Sequence, residues 1–159
     1  VSAAIVECDS STYRIVEEPI DGKQAQLLPL LALHRQELAT HKSIMRLAPD
    51  FERHIELQTQ GHLMVFFAYH DEELIGYSST LIAPHLHYPL LHGHNDLLFV
   101  APAHRRGRVG LALIDRTRSG ARERGVQFLT WHVKPDTALA HLLPRLGCTL
   151  QDLVFGEAL

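Results

Sequence analysis

Between residues 97 and 116 an apolar run meets a proline, a basic turn and the opening of a helix. The segment reads Leu97-Leu-Phe-Val-Ala-Pro-Ala-His-Arg-Arg-Gly-Arg-Val-Gly110 and continues Leu-Ala-Leu-Ile-Asp-Arg116. Strand, basic turn and helix start dictate an α/β connection and also a ligand type. The first N–H groups of a helix have no partner inside it and point at one spot, where the helix dipole favours an anion by about 0.3–1 kcal/mol. A charge-assisted hydrogen bond from Arg105, Arg106 or Arg108 would each add about 1.5–3 kcal/mol. The turn suits a phosphate-bearing ligand.

Two common nucleotide loops are excluded. A P-loop ends in Gly-Lys-Ser/Thr, and Gly110 is followed by Leu111 and Ala112. A dinucleotide fingerprint needs three glycines, and only Gly107 and Gly110 are present.

The chain has 159 residues, is 46% hydrophobic and carries a net charge of −3. That suits one domain with a proper core and argues against a bulk electrostatic grip on nucleic acid. Arg105, Arg106, Arg108, Arg116, Arg118, Arg122 and Arg124 nevertheless crowd into one stretch. The last four read as a solvated helix face, and the first three as a local positive field for a small anionic cofactor. Cys8 and Cys148 stand in no metal or redox spacing and read as reduced thiols. No apolar run is long enough to span a bilayer, so the expected location is the cytoplasm, with no membrane partner.

Hydrophobic periodicity predicts a polar leader over residues 1–12 and one domain over 13–159. Tyr13 opens a first strand, and leucines at 27, 30, 31, 33 and 38 mark a helix with Pro29 in its first turn. Asp50 is the expected N-cap of a second helix stopped by Gly61. A hairpin follows, turning at 70–73. Pro84 then begins a histidine-rich loop, residues 95–100 form a fourth strand, and the helix after the basic turn runs from Val109 to Arg124. Gly110, Leu113, Ile114, Thr117, Gly120 and Ala121 share one face of that helix. A fifth strand over 127–133, a short helix over 137–146 and a last strand over 149–155 complete the order β-α-α-β-β-β-α-β-α-β. This is an α/β (α+β) domain with a mixed sheet.

That order, together with Arg105-Arg-Gly-Arg-Val-Gly110 after a strand ending Val-x-Pro, resembles the GCN5-related N-acetyltransferases (GNATs). Their acetyl-CoA loop is Q/R-x-x-G-x-G/A; here Arg108 stands at the middle glycine position and Gly107 one place earlier. The resemblance covers roughly the whole chain. It implies a mostly antiparallel sheet splayed between the fourth and fifth strands, with Leu98, Phe99 and Val100 holding the pantetheine arm of acetyl-CoA. It implies that Arg105, Arg106, Gly107, Arg108, Val109, Gly110, Leu111 and Ala112 hold the cofactor's other end.

The implied activity is transfer of an acetyl group from acetyl-CoA to a primary amine, by direct attack in a ternary complex. The acceptor would be a small-molecule amine or a protein amine, and a homodimer is compatible with the family. Such an amine must first lose a proton. By resemblance the base stands near the start of the fourth strand, where Asp96 is the best carboxylate and His94 its rival. The family's usual proton-donating tyrosine falls at Leu143, so His132, His141 or water must serve. Pro84-His-Leu-His-Tyr-Pro-Leu-Leu-His-Gly-His94 resembles the His-Tyr stretch of small GNATs associated with phages and mobile elements, which implies acceptor contact by His87 and Tyr88. His34 and Glu37, one helical turn apart, would face the same cleft. No metal-ligand set is assigned in the histidine loop, although a metalloprotein built on it stays a rival reading. So does a cofactor-binding module without catalysis.

Overall fold

The computed structural model describes residues 4–8, 11–105 and 107–157; of the side chains in the first two strands, those at 4, 6–8, 11 and 12 lie outside the description. Arg106 and the side chain of Cys8 therefore fall outside it. Among the described residues six strands form one sheet in the sequential order β1-β2-β3-β4-β5-β6. They are β1 (Ala4–Cys8), β2 (Ser11–Glu17), β3 (Leu63–His70), β4 (Glu73–Pro84), β5 (Leu91–Val100) and β6 (Phe128–Trp131). Neighbours pair antiparallel except β5 and β6, which run parallel. The α/β class with a mixed sheet is as the sequence predicts.

Helices cover both faces. Helices α1 (Gln24–Leu38) and α2 (Phe51–Thr59) follow β2, α3 (Val109–Glu123) joins β5 to β6, and α4 (Ala138–Arg145) follows β6. Asp50 caps α2 as expected, accepting from the Arg53 N–H at 2.9 Å. Pro29 falls in the second turn of α1 rather than its first, because the helix begins at Gln24.

Two cores flank the sheet. Val109, Leu113 and Ala121 of α3 pack with Ile15, Met64, Phe66 and Ile75 on one face. Leu27 and Leu30 of α1 pack with Val65, Phe67, Tyr77 and Phe99 on the other. Gly120 lets α3 lie close on β3: a Cβ there would meet Phe66 Cζ at 2.7 Å and Met64 Sδ at 2.8 Å.

Three departures from the expected order concern where strands find partners. Part of the expected leader is β1, which pairs residue by residue with β2 from Ala4↔Ile15 to Cys8↔Ser11. No strand forms over 149–155, where Leu150, Leu153, Val154 and Phe155 are exposed. The third is at β5, which begins at Leu91, so His92 and His94 belong to a strand and only residues 85–90 to the loop. Among the described residues no helix is long and apolar enough to cross a membrane.

Candidate active site

The β4–β5 ladder slips by one residue. Ser79 faces Leu97 and Thr80 faces Asn95, which leaves Asp96 as the extra residue of a β-bulge. A buried hydrogen-bond chain pins it there. Asn95 Nδ2 donates to Ser78 Oγ at 2.9 Å and to the Ser79 carbonyl at 3.0 Å. Ser78 Oγ lies 2.7 Å from Thr117 Oγ1, whose hydroxyl donates to the Leu113 carbonyl at 2.8 Å. Asn95 is therefore a core residue that ties the bulge to α3.

On its other edge β5 leaves β6 at the same place. The parallel ladder runs from His92↔Phe128 to Asn95↔Trp131, and the His132 N–H reaches the Asn95 carbonyl at 2.9 Å. Beyond that point residues 96–100 and 133–137 go separate ways. The splay expected between the fourth and fifth strands is this fork between β5 and β6, and Asp96 stands in its crotch.

Ionisable side chains gather at the fork. His94 Nε2 lies 3.2 Å from His132 Nδ1, and Asp96 Oδ1 lies 3.8 Å from the same His132 nitrogen. Asp96 and His132 are both about half-exposed. Burial holds the His94 imidazole below its ordinary pKa, the His132 and His92 rings push the same way, and the Asp96 carboxylate opposes them. At neutral pH the His94 ring is uncharged.

A second group lines the same face. His34 of α1 bonds the Tyr77 hydroxyl through Nδ1 at 2.7 Å and stacks on Phe99 with centroids 4.7 Å apart. Burial lowers the His34 pKa, and the charges of Glu37, Arg105 and Asp96 all act on it. Burial raises the Tyr77 hydroxyl strongly, helped by the Asp96 charge, so the phenol stays protonated. Nothing in the sequence marks Tyr77, which reads there as an ordinary inward residue of the hairpin.

The basic turn is only partly free. Arg105 donates from Nε to the Val100 carbonyl at 2.8 Å and pairs with both Glu37 carboxylate oxygens at 2.8 and 2.6 Å. Its guanidinium also lies over the Phe99 ring, 5.2 Å from the centroid. Gly107 adopts φ +119°, a left-handed conformation suited to glycine. Arg108 is the N-cap of α3, is exposed, and makes no side-chain capping bond. At Gly110 a Cβ would meet nothing within 4 Å. An uncapped helix start with open space over a glycine fits an approaching phosphate. Val109 is fully buried beneath it, while Leu111 and Ala112 are half-buried on the first turn.

The remaining candidates spread out. His87 and Tyr88 are exposed on the loop; the His87 N–H donates to His85 Nδ1 at 3.1 Å, and the Tyr88 ring lies 4.8 Å from that of His85. Leu98 is half-buried against the α3 core, whereas Phe99 and Val100 are buried. His141 is exposed on α4, and Leu143 is buried.

The profile of the Acetyltransferase (GNAT) family matches residues 31–148, from the second half of α1 through α4. The chain belongs to this family. Solved structures agree on the fold. An aminoglycoside acetyltransferase, meta-AAC0020 from an uncultured soil metagenomic sample in complex with sisomicin, shares 18% identity at TM-score 0.73 over 92% of this chain and 96% of its own. A GCN5-related N-acetyltransferase from Ralstonia eutropha JMP134 shares 19% at TM-score 0.72, over 92% and 98%. A ribosomal-protein-alanine N-acetyltransferase from Brucella melitensis biovar Abortus 2308 shares 20% at TM-score 0.67, over 92% and 97%. No curated protein sequence matches.

In this GNAT chain the fork and the basic turn stand at opposite ends of one stretch of strand, Asp96 to Val100, followed by the turn. The sequence picks out both ends. It gives no sign of the Asn95 network that fixes the bulge, nor of the Glu37–Arg105 pair, whose members lie 68 residues apart.

Proposed function

We propose that this GNAT protein transfers an acetyl group from acetyl-CoA to a primary amine, with Asp96 receiving the amine's proton. The observation that carries this reading is the position of Asp96, the extra residue of the bulge, exposed where β5 and β6 part.

Acetyl-CoA supplies an activated thioester. The uncapped start of α3, with Arg108 and the open face of Gly110, would hold its phosphates. The free edge of Leu98, Phe99 and Val100 would hold its pantetheine arm, and an N–H of this stretch would polarise the carbonyl oxygen. The acceptor presents the harder task. An alkylamine with a pKa of about 10.4 lies about three units above neutrality, so removing its proton costs roughly 4 kcal/mol. A half-exposed carboxylate at the fork can take that proton directly or through water. Neutral His94 stands behind it, and His132 can pass a proton onward or return it to the departing thiolate. Leu143 has no proton to give, and its burial fits a packing role.

The acceptor is a small-molecule amine or a protein amine, the two classes represented by the names of the structural relatives. Free Cys148 is in keeping with a reducing, cytoplasmic setting. A panel of amines scored by thiol release from acetyl-CoA tests the reading. Release that depends on one class of amine is the expected result. Cofactor binding without release for any amine would instead favour a module that binds acyl-CoA without catalysis.

A further inference from the structure

The two imidazoles at the fork face each other from β5 and from the residue just past β6, at a spacing that suits either a hydrogen bond or a shared ligand. His94 Nε2 and His132 Nδ1 are 3.2 Å apart. Tetrahedral zinc, with Zn–N bonds of about 2.0–2.1 Å, holds its nitrogen ligands about 3.3–3.4 Å from each other. Asp96 Oδ1 is 3.8 Å from His132 Nδ1, and one ligand atom from each of the three residues lies within 4.8 Å of the others. The carboxylate is half-exposed on a bulge, and about half an ångström separates its distance to His132 from the tetrahedral ligand spacing.

A second contact holds the other ring nitrogen of His94. Thr130 Oγ1 donates to the Gly93 carbonyl at 3.4 Å. It also lies 3.0 Å from His92 Nε2 and 3.0 Å from His94 Nδ1. When the hydroxyl gives its proton to the carbonyl it has only lone pairs left, and both rings donate to it. His94 is then the Nδ1–H tautomer, and its Nε2 lone pair points at His132. Metal-binding histidines are oriented by this kind of bond from the second ring nitrogen to an oxygen acceptor.

We infer that His94, Asp96 and His132 form a three-ligand site for a divalent cation of the zinc class, with the fourth position open to water and Thr130 as its supporting partner. The site differs from a metal centre built on the loop. Among the described residues this is the one group of histidine, cysteine and carboxylate side chains at ligand spacing, and His85 and His87 are not part of it. The inference goes beyond acetyl transfer and sets a condition on it. A cation held by Asp96 occupies the carboxylate assigned to the amine's proton, so the metal-loaded and transferring states exclude each other.

The test reads metal directly, with no acceptor present. Full-length protein is equilibrated with zinc, passed through a desalting column and assayed by elemental analysis; cobalt(II) serves as a visible probe of coordination. One zinc per chain and the intense absorption of tetrahedral cobalt are expected. Thr130→Val should weaken zinc binding about 10–100-fold, His132→Ala should weaken it more, and His85→Ala should leave it intact. His132 is half-exposed, so its replacement leaves the fold in place, which a melting curve in chelator checks. No retained zinc in the wild type, or equal retention by natively folded His132→Ala, overturns the site. Because stoichiometry is measured without turnover, either result leaves the acetyl-transfer reading to its own assay.

Discussion

Arg105 grips both carboxylate oxygens of Glu37, at 2.8 and 2.6 Å, while its Nε holds the carbonyl of Val100. One side chain thus ties the basic turn to the end of β5 and to α1. Arg105 is spoken for before any phosphate arrives, whereas Arg108 is exposed at the helix N-cap.

The two arginines should therefore behave differently. Arg108→Ala removes a free cation beside the helix start, and CoA affinity should fall about tenfold, the equivalent of one charge-assisted hydrogen bond. Arg105→Ala should weaken CoA less and should act mainly by releasing Glu37. The pair is more than a third exposed, so its contribution to stability should be no more than about 1 kcal/mol. Calorimetric titration of both variants with CoA and dephospho-CoA checks this. Equal losses in the two variants would assign Arg105 to the phosphates as well.

At Gly110 stability and binding should move in opposite directions. A Cβ there meets nothing within 4 Å, and alanine is favoured over glycine in a helix by up to about 1 kcal/mol. Gly110→Ala should thus keep or raise the melting temperature of the free protein. If phosphate approaches the backbone at this spot, the same methyl group should reduce the melting shift produced by CoA. An undiminished shift would place the phosphates elsewhere.

Gly120 is the contrasting case, since its missing side chain is filled by neighbours. Gly120→Ala would press a methyl group against Phe66 and Met64, both fully buried. Overpacking of this kind destabilises by about 1–3 kcal/mol, readable as a lower denaturant midpoint with an unchanged slope.

What the sequence makes legible and what it hides divide along one physical line. Asp50 with Gly61, the hairpin, and the small face of α3 are local signals, and each is found where periodicity and capping chemistry place it. Partnership across the chain is not local. β1 exists because β2 offers it a full ladder, and the segment 149–155 forms no strand because no neighbour offers it one. The run His92-Gly-His94 looks like loop because it lacks apolar residues. It is strand because Leu81, Ile82 and Ala83 pair with it. Asp96 is legible as a carboxylate near a strand start, but its exposure depends on Asn95, Ser78 and Thr117 fixing the bulge.

His34 should give a measurable pH dependence of stability. Burial lowers its folded-state pKa, with Glu37 and Asp96 opposing and Arg105 assisting, so the unfolded chain takes up this proton first. Its stabilising share is fully present above the unfolded pKa of about 6.5 and is lost as pH falls through the lowered folded value. His34→Gln should flatten this part of the stability profile, measured by denaturant unfolding at successive pH values. An unchanged acid slope would show that His34 titrates alike in both states.

Asp96 should matter for proton removal and hardly at all for the cofactor. Asparagine keeps its shape and hydrogen-bonding reach but deletes its basicity. If Asp96 takes the amine's proton, kcat/KM for Asp96→Asn should fall about 10²–10⁴-fold, while the CoA dissociation constant stays nearly the same. The loss should shrink for acceptors of low pKa, which are already neutral at the assay pH, and this dependence separates a base from a residue that merely supports the fork. The bulge itself should survive, because Asn95, Ser78 and Thr117 fix it without help from the Asp96 side chain. A folded Asp96→Asn variant with wild-type rates on a good acceptor would move the proton's route to His94 or to water.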